Sequence, residues 1–589
     1  MRRVVRPRVE HGRGRVADDV AVRSRARHQR CIRGYEALHF AGNSHEAARR
    51  QLVGDEFGPH IVYVGRNFSP WQDASYAVAE PPSETPIDLP NVLTPSKPHD
   101  VLVVGGGING TGIARDAAGR GLSVLLCEQD DLAAHTSSAS TKLIHGGLRY
   151  LEGFHFALVR KALQEREVLL ASAPHIMWPL RFVMPHDAHL RPQWMIRAGL
   201  LLYDNLARRR RLAASAALDL RKHPAGTPLD PKFTRGFIYS DGWTDDARLV
   251  VLNALDAVSH GATILTRTRC EKIELRDGVW HAHLADASGT KVVTSRAIVN
   301  ACGPWVSRFL SDATPARSER SVRLVKGSHI VVPKLFAHRF AYIFQNIDRR
   351  IVFAIPYEED FTLIGTTDLD YHGKPADVHI EPAEVKYLCD TVNRYFERKV
   401  TPAEVVWSYS GVRPLLDDKA GDASSVTRDY KLEMEREDAP LLSVFGGKIT
   451  TYRRLSETAV DQIAKALGSS ARPWTEKAYL PGGDLPGGSL ARFLRNVERR
   501  YPWLPATLRT RYARSYGTRI DRVIGTARTL ADLGAEVLPQ IYASEINYLR
   551  REEWARSAED ILWRRTKLGL HLPAGSAQAL DAWLATHGS

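Results

Sequence analysis

The stretch that decides the fold covers residues 100–151 and is DVLVVGGGINGTGIARDAAGRGLSVLLCEQDDLAAHTSSASTKLIHGGLRYL. It opens on an apolar β-type run, residues 100–104, and continues into a helical stretch, residues 108–119. A second β-type run, residues 123–127, ends in an acidic residue. Between the first strand and the helix stand glycines in G-x-G-x-x-G spacing: Gly105, Gly107 and Gly110. This order of strand, glycine turn, helix and strand is the βαβ fingerprint of a dinucleotide-binding protein, whereas the same glycines without that context indicate only a turn.

Each part of the fingerprint has a physical reason. Gly105 permits the tight turn, Gly107 lets a pyrophosphate approach the backbone, and Gly110 allows close packing of the helix on the strand. The helix N-terminus adds amide donors and a positive dipole for the phosphates. Glu128 ends the second strand, where a carboxylate accepts hydrogen bonds from ribose hydroxyls. We therefore expect the chain to bind an adenine dinucleotide.

The bulk composition limits the class of protein. A chain of 589 residues is too long for one core and should hold several domains. The hydrophobic content of 44% is ordinary for a soluble protein, and no apolar run approaches the ~20 residues of a transmembrane helix. No apolar segment typical of a secretory signal follows the early arginines. Five scattered cysteines without a C-x-x-C pair predict reduced thiols in a cytoplasmic protein, with neither zinc nor a disulfide framework.

The formal charge of +14 is concentrated near the N-terminus. Residues 1–33 contain eleven arginines and three acidic residues, so this leader supplies +8 of the total. The remainder is mildly basic, as expected of a protein that meets an anionic membrane or a phosphorylated substrate. Nucleic-acid binding by the leader is the alternative, but no nucleic-acid-binding motif accompanies it, and we expect no nucleic-acid partner.

Residues 1–98 differ in character from the rest of the chain. They contain no lysine before Lys97, no clear amphipathic period, and a Pro/Ser/Thr/Glu-rich end. We predict a basic, disordered extension. A targeting presequence fits poorly with the acidic residues present. A gene start placed too early, with the true start near Val92, is a third explanation, and the sequence leaves the choice open.

Strand and helix patterns alternate from residue 99 to residue 480, which predicts an α/β core. Two further glycine-bearing strand ends, residues 297–305 (AIVNACGPW) and 445–451 (FGGKITT), are suited to close approach to the same cofactor. Strand patterns at residues 328–332, 351–355 and 361–365 predict an antiparallel sheet as the floor of a substrate domain.

A Pro/Gly linker at residues 480–488 precedes a segment of different composition, residues 489–589. This segment is rich in Arg, Trp and Tyr, and strand patterns are nearly absent from it. It predicts a separate, all-helical C-terminal domain, with a long amphipathic helix over residues 546–570.

Several ordered motifs resemble those of the FAD-dependent glycerol-3-phosphate dehydrogenases. Besides residues 100–151, they are LTRTR (265–269), GPW (303–305), KGSHIVVP (326–333), IGTTD (364–368), YSGVRPL (409–415), SVFGGKITTYR (443–453) and ILWRRTKLGL (561–570). The resemblance extends from about residue 99 to the C-terminus. It implies an α/β fold: an FAD-binding Rossmann-like βαβ core of the D-amino-acid-oxidase type, an antiparallel-sheet substrate domain and a C-terminal helical domain.

The resemblance also implies an activity. It implies oxidation of sn-glycerol 3-phosphate to dihydroxyacetone phosphate, by hydride transfer from C2 to N5 of non-covalently held FAD. Electrons would pass to a membrane quinone, in glycerol catabolism and respiratory electron entry. The protein would be peripheral on the inner leaflet of the cell membrane, and a homodimer is left open. An oxidase of the same fold that uses oxygen is the nearest competitor, and a non-catalytic flavin-binding protein is a competitor of another class.

The substrate phosphate needs guanidinium and ammonium groups, with arginine favoured for its planar fork. The positions that match the family for substrate binding are Arg149, Tyr150, Thr367, Arg413, Arg428 and Lys448. These residues are dispersed along the chain, and only the resemblance brings them together. His145 is a catalytic candidate because a histidine suits proton transfer, and Arg413 is another because it can stabilise a developing alkoxide. The sequence does not identify the general base.

Serine-rich loops such as residues 137–142 are usually solvated turns, and the resemblance assigns this one to the pyrophosphate and flavin. The cofactor-binding set consists of Gly105, Gly107, Gly110, Glu128, Ser137, Ser138, Ser140, Lys142, His145, Gly146, Gly147, Gly303, Gly446, Gly447, Lys448, Ile449 and Thr450. No metal ion is expected.

Two basic regions are candidates for contact with an anionic membrane. Residues 208–211 are arginines that follow an apolar helix predicted over residues 192–206, a cationic amphipathic design. The C-terminal domain offers a second basic surface, made of Arg550, Arg551, Arg564, Arg565 and Lys567.

Overall fold

The computed structural model describes residues 97–187, 189–314, 322–348, 350–416, 430–435 and 439–587. The disordered extension predicted for residues 1–98 lies outside the described residues except for its last two. Arg428, predicted to bind substrate, also lies outside them.

The described residues contain strands and helices in alternation. The strands are β1 (His99–Val104), β2 (Val124–Cys127), β3 (Leu143–Ile144), β4 (Met177–Pro185), β5 (Ala216–Asp219), β6 (Arg235–Thr244), β7 (Thr263–Leu265), β8 (Arg269–Arg276), β9 (Val279–Asp286), β10 (Gly289–Asn300), β11 (Val322–Pro333), β12 (Ala341–Gln345), β13 (Ile351–Tyr357), β14 (Phe361–Gly365), β15 (Leu369–Asp370), β16 (Trp407–Leu416), β17 (Tyr430–Met434), β18 (Leu441–Gly446), β19 (Glu536–Leu538) and β20 (Ile541–Tyr542). The α-helices are α1 (Ile108–Gly119), α2 (Phe156–Ser172), α3 (Gln193–Asn205), α4 (Asp246–Ser259), α5 (Val306–Ala313), α6 (Pro382–Tyr395), α7 (Tyr452–Ala466), α8 (Leu490–Arg500), α9 (Ala506–Tyr516), α10 (Ile520–Ile524), α11 (Ala543–Glu553) and α12 (Ser576–Thr586).

The first sheet has the strand order β17-β18-β10-β1-β2-β7, with β9 and β8 added beyond β10. Its central strands β18, β10, β1, β2 and β7 are parallel. Both faces of these strands are buried, so side chains alternate between two apolar clusters. Val101 and Val103 face helices α1, α4 and α7, whereas Leu102 packs with Trp280 of the β8–β9–β10 meander. The predicted βαβ unit at residues 100–127 is confirmed.

The second sheet has the order β15-β11-β14-β13-β12-β4-β6-β3, with β16 paired to β11 and β5 paired to β6. Its pairs are antiparallel apart from β12 with β4. The predicted strands at residues 328–332, 351–355 and 361–365 fall in β11, β13 and β14, which lie side by side. The predicted antiparallel floor is confirmed.

The C-terminal segment has its own core, in which tyrosines of α9 pack against apolar residues of α11 and α12. A two-stranded ribbon, β19–β20, interrupts the helices. The predicted long helix over residues 546–570 is wrong. Helix α11 ends at Glu553 because Trp554 adopts a left-handed conformation with φ of 57°, and a short π-helix, Asp560–Arg565, follows. In the described part of the chain, no helix combines the length and the apolar character needed to cross a membrane.

Candidate active site

A cavity of about 640 Å³ lies where the parallel strands end and the second sheet begins. Its wall includes the glycine turns that follow β1 and β18 and the Cys302–Trp305 turn that follows β10. On the other side it is closed by residues of the second sheet, among them Gly327 and Arg413. The carboxyl ends of parallel strands are where α/β sheets bind their ligands, so the cavity stands where the fingerprint predicts it.

The fingerprint turn is packed too closely for side chains. Gly105 has φ of +113°, and a Cβ there would lie 2.6 Å from the carbonyl oxygen of Ala301. A Cβ on Gly110 would lie 1.9 Å from the carbonyl oxygen of Gly105, so the helix touches the turn itself. Gly105 and Gly107 line the cavity, whereas Gly110 supports them from behind.

Glu128 lines the same end of the cavity, directly after β2. Its carboxylate accepts hydrogen bonds from the backbone N–H groups of Gly106 (2.6 Å) and Asp130 (2.9 Å). Burial raises the pKa of Glu128, and these two amides oppose the rise. The amides thus fix the orientation of the carboxylate at the predicted ribose position.

The polar run after β2 divides between the cavity and the interior. Ser137 and Ser140 line the cavity, and the Ser137 hydroxyl accepts the N–H of Ile108 at 3.0 Å. Ser138 and Lys142 do not line it. The buried Lys142 ammonium donates to Asp246 at 2.7 Å and to the carbonyl oxygen of Ser138 at 3.0 Å, so its charge is used to fold the run. The prediction that Ser138 and Lys142 face the cofactor therefore differs from the structure.

The loop of residues 145–147, which was predicted to approach the flavin, is held from two sides. The backbone N–H of His145 donates to the Thr450 hydroxyl at 3.2 Å. The N–H of Gly146 donates to the Tyr203 hydroxyl at 2.8 Å, and Gly147 is left-handed with φ of +76°. His145 and Gly147 line the cavity, but Gly146 does not. A Cβ on Gly146 would point away from the cavity, into Leu163 of α2 and Tyr203 of α3.

The remaining predicted cofactor residues also line the cavity. They belong to the two later glycine turns and are Gly303, Gly446, Gly447, Lys448, Ile449 and Thr450.

The cationic residues predicted to bind substrate line the cavity between the two sheets: Arg149, Arg413 and Lys448, with Tyr150 among them. The Lys448 ammonium lies 3.8 Å from the centroid of the Tyr150 ring. Residues more than 260 positions apart in the sequence thus share one wall.

The guanidinium of Arg413 is oriented by two neighbours. It donates to the carboxylate of Asp368 at 2.7 Å and to the hydroxyl of Thr366 at 3.2 Å. Thr367, the threonine that was predicted to bind substrate, is buried behind the wall instead. Its hydroxyl donates to Glu384 at 2.8 Å and accepts the N–H of Ser328 at 2.9 Å. Because consecutive residues point to opposite sides of an extended chain, Thr366 faces the cavity and Thr367 does not.

Comparisons with known proteins show which family the chain belongs to. The family model described as FAD dependent oxidoreductase matches residues 100–453, and the model described as C-terminal domain of alpha-glycerophosphate oxidase matches residues 473–587. The glycerol-3-phosphate dehydrogenase of Pseudomonas aeruginosa is 53% identical over 498 residues, which are 83% of this chain and 96% of that protein. The chain belongs to the family of FAD-dependent glycerol-3-phosphate dehydrogenases.

Two other similar proteins bear on the site. The D-erythritol 1-phosphate dehydrogenase of Brucella abortus is 49% identical over 487 residues, covering 82% of this chain and 97% of that protein. The crystal structure of the Bacillus halodurans glycerol-3-phosphate dehydrogenase, complexed with FAD, superposes with a TM-score of 0.70 at 28% identity, covering 84% of this chain and 92% of that one. The fold class predicted from the motifs is confirmed.

The residues of this dehydrogenase fit FAD. Gly105 and Gly447 line the cavity with φ of +113° and +102°, so backbone without a side chain faces the space that a pyrophosphate would occupy. The N-terminus of α1 opens on the cavity beside the Ser137 hydroxyl, and Glu128 lies at the predicted ribose position. FAD, when bound, supplies the hydride acceptor for the reaction.

The sequence analysis missed several residues around the site. Asp368 and Thr366 could have been found, since both stand in the IGTTD motif beside Thr367. His329 stacks on Tyr409 with ring centroids 4.8 Å apart, and its Nε2 lies 3.0 Å from the Thr141 hydroxyl. Burial, with the charges of Arg413 and Lys142, holds the pKa of His329 well below its usual range. Its position depends on the register of β11 with β16, which the sequence does not reveal.

Proposed function

We propose that this enzyme oxidises sn-glycerol 3-phosphate to dihydroxyacetone phosphate and passes the electrons to a membrane quinone, in glycerol catabolism and respiratory electron entry. The observation that carries the proposal is a single cavity whose glycine turns suit a dinucleotide and whose lining also includes Arg149, Arg413 and Lys448. These cationic side chains supply the charge that a phosphate dianion requires.

The geometry of the cavity suggests which of its residues take part in the reaction. Asp368 and Thr366 hold the guanidinium of Arg413 in one orientation, and Gly327 leaves room for it, since a Cβ there would lie 2.4 Å from an Arg413 nitrogen. We assign to Arg413 the stabilisation of the negative charge that develops on the C2 oxygen. His145 is our candidate for accepting the C2 hydroxyl proton as the hydride leaves C2, which yields the ketone.

The test uses the purified, flavin-loaded enzyme without oxygen. Addition of sn-glycerol 3-phosphate should bleach the long-wavelength flavin absorbance, and a soluble quinone should then restore it. In Arg413→Gln, the substrate concentration needed for bleaching should rise roughly 30-fold or more. Arg323→Gln is the matched control, because Arg323 lies on the same sheet and pairs with Asp370 at 2.6 Å. Fast recovery with oxygen and formation of peroxide would instead identify an oxidase, and a loaded enzyme that does not bleach would exclude this substrate.

A second substrate is supported by a specific finding. The relative that is 49% identical is named for D-erythritol 1-phosphate, which also carries a phosphate and a secondary alcohol. The ratio of the two kcat/KM values in the same assay separates the substrates. A larger value for glycerol 3-phosphate supports our proposal, and the reverse would reassign the enzyme to the longer polyol phosphate.

We also propose that the enzyme docks peripherally on the cytoplasmic leaflet through the α3 patch, defined as Phe154, Trp194, Leu201 and Leu202. These side chains are 77%, 69%, 46% and 42% exposed, an unusual set of large apolar groups for a water-facing surface. Arginines follow directly at residues 208–211 and would meet anionic lipid headgroups.

The position of the patch supports quinone as the acceptor. Ile196 and Leu200 of α3 pack in the same apolar cluster as Leu148, Ile343 and Phe353, which line the cavity. Apolar side chains therefore separate the patch from the cavity, on the side from which a lipid-soluble acceptor would approach.

Membrane docking is tested by sedimentation with vesicles of phosphatidylglycerol and phosphatidylethanolamine. We expect the enzyme to sediment with them, and the double variant Trp194→Ser, Leu202→Ser to stay in solution with its anaerobic bleaching unchanged. Val406→Ser is the control, because Val406 is also an exposed apolar residue (52%) but lies outside the patch. Equal sedimentation of the double variant would refute docking through α3.

A further inference from the structure

Part of the basic surface expected on the C-terminal domain is absent, because its residues lie inside the protein. Arg564 is 8% exposed, Arg565 is 0% exposed and Lys567 is 3% exposed. They belong to the short π-helix Asp560–Arg565 and the turn that follows it. Short π-helical turns are frequent at functional sites, and burying three cations requires partners.

Both arginines bind Asp131, in the dinucleotide-binding half of the chain, and Arg564 also donates to Glu559 at 2.6 Å and to Asp560 at 2.5 Å. The Nη1 and Nη2 atoms of Arg565 donate to the two carboxylate oxygens of Asp131 at 2.7 and 2.8 Å. Nε of Arg564 donates to the same carboxylate at 2.7 Å. Asp131 is itself only 2% exposed, so this contact is a fully desolvated, charge-assisted clamp.

Asp131 belongs to the ribose loop, residues 128–135, which starts at the carboxylate expected to bind the ribose. Glu128, Gln129, Ala133, Ala134 and His135 of this loop line the cavity. The backbone of Ala133 donates to Gly106 of the fingerprint turn at 3.3 Å, and that of Ala134 donates to Asp131 at 3.1 Å. One side of the loop thus lines the cavity. On its other side, Asp131 is bound by Arg564 and Arg565 of the C-terminal domain.

A second connection reaches the same loop. Arg267 donates to Asp560 of the π-helix at 2.6 Å, while its backbone N–H donates to the carbonyl oxygen of Asp130 at 2.8 Å. The next residue, Thr268, donates its N–H to the carbonyl oxygen of Glu128 at 2.7 Å and lines the cavity. Arg565 is braced from behind, since it also donates to the carbonyl oxygen of Glu553.

We propose that the C-terminal domain helps to form the cofactor site. Arg565 and Arg564, acting through Asp131, are positioning residues that hold the ribose loop in its FAD-binding conformation. The buried clamp lowers the freedom of the loop before FAD arrives, so less ordering remains to be done on binding. FAD affinity, rather than the chemistry of substrate oxidation, is the property that the clamp sets.

The experiment measures FAD release from the full-length, flavin-loaded enzyme, at a temperature where every variant is folded by circular dichroism. Release on dilution is followed by the rise in free FAD fluorescence and gives a Kd. We expect Arg565→Lys and Asp131→Asn each to raise the Kd roughly 10-fold, and the double variant to raise it no further than the worse single, because both break one clamp.

Arg511→Lys is the control for damage to the C-terminal domain as such. Arg511 forms a similar arginine–carboxylate pair within that domain, with Glu545 at 2.5 and 2.8 Å, and does not contact the ribose loop. It should lower the unfolding temperature and leave the FAD Kd unchanged. If a clamp variant does not fold, Arg267→Gln replaces it, because the half-buried Arg267 ties the same loop to Asp560. An unchanged Kd in the folded clamp variants, or an equal rise in Arg511→Lys, would overturn the proposal.

Discussion

At the scale of single residues, Gly146 is a closely packed position in the loop of residues 145–147. A Cβ there would lie 2.4 Å from Leu163 Cδ2 and 2.6 Å from the Tyr203 hydroxyl oxygen. Both neighbours are buried and packed, so neither can move without disturbing the cluster behind the cavity.

We predict that Gly146→Ala destabilises the enzyme by about 1–3 kcal/mol, as overpacking in a filled core does. Urea unfolding monitored by circular dichroism measures the change. Gly199→Ala is the control, because Gly199 lies in α3 with no atom near its missing Cβ. That variant should be neutral or gain up to about 1 kcal/mol from helix propensity. If Gly146→Ala is as stable as the wild type, the loop and its neighbours can shift enough to accommodate the added methyl group.

At the scale of elements, α3 has one exposed apolar face, which we propose docks on the membrane, and one buried face that supports the cavity. Its outer face carries Trp194, Leu201 and Leu202 of the α3 patch. Its inner face carries Tyr203, whose hydroxyl accepts the Gly146 N–H and donates to Asp241 at 2.8 Å. Burial raises the pKa of Tyr203 well above its usual value, so the phenol keeps its proton and remains a donor.

We predict that Tyr203→Phe lowers the free energy of unfolding by about 1–3 kcal/mol, because a buried N–H and a buried carboxylate each lose a partner. Tyr371→Phe is the matched control, since Tyr371 donates to the carbonyl oxygen of Lys374 near the surface. Urea titrations of the two variants make the comparison. A loss in Tyr203→Phe no larger than that in the control would contradict the role given to the network.

At the scale of the whole molecule, His175 stands where the core meets the C-terminal segment. Its side chain is fully buried, and its Nε2 would lie 3.2 Å from a Cβ on Gly482. Burial, with the charges of Arg248 and Arg514, lowers the pKa of His175 to about 3. Neither ring nitrogen has a hydrogen-bond partner among the described residues.

We predict that this histidine makes the folded enzyme sensitive to acid. The folded pKa lies below the unfolded value, so the unfolded chain binds the proton first and stability falls as the pH drops from about 6.5 toward 3. At pH 5 the loss should be about 2 kcal/mol relative to neutral pH. Urea unfolding at pH 7.5 and pH 5 should show that His175→Leu removes this part of the loss, whereas the exposed His372→Leu does not. The same acid sensitivity in His175→Leu would assign the effect to other groups.

The sequence alone determined the parts of this protein that are local. The βαβ unit, the helix Ile108–Gly119 and the strands of the antiparallel floor follow from the alternation of apolar residues and from glycines at turns, because these patterns state which face of an element is buried. The ordered motifs led to the family, and the family led to the cationic residues.

Only the tertiary structure decided which charges are buried and which neighbour each one meets. Arg564 and Arg565 belong to a sequence pattern typical of a basic surface, yet their partner Asp131 lies more than 430 residues earlier. Thr366 and Thr367 are chemically alike, and the direction of the strand end alone turns the first toward Arg413 and the second toward Glu384. The sequence states the charge and type of each side chain. Whether a side chain is buried, and which residue it contacts, depends on packing between distant segments, which local sequence periodicity does not reveal.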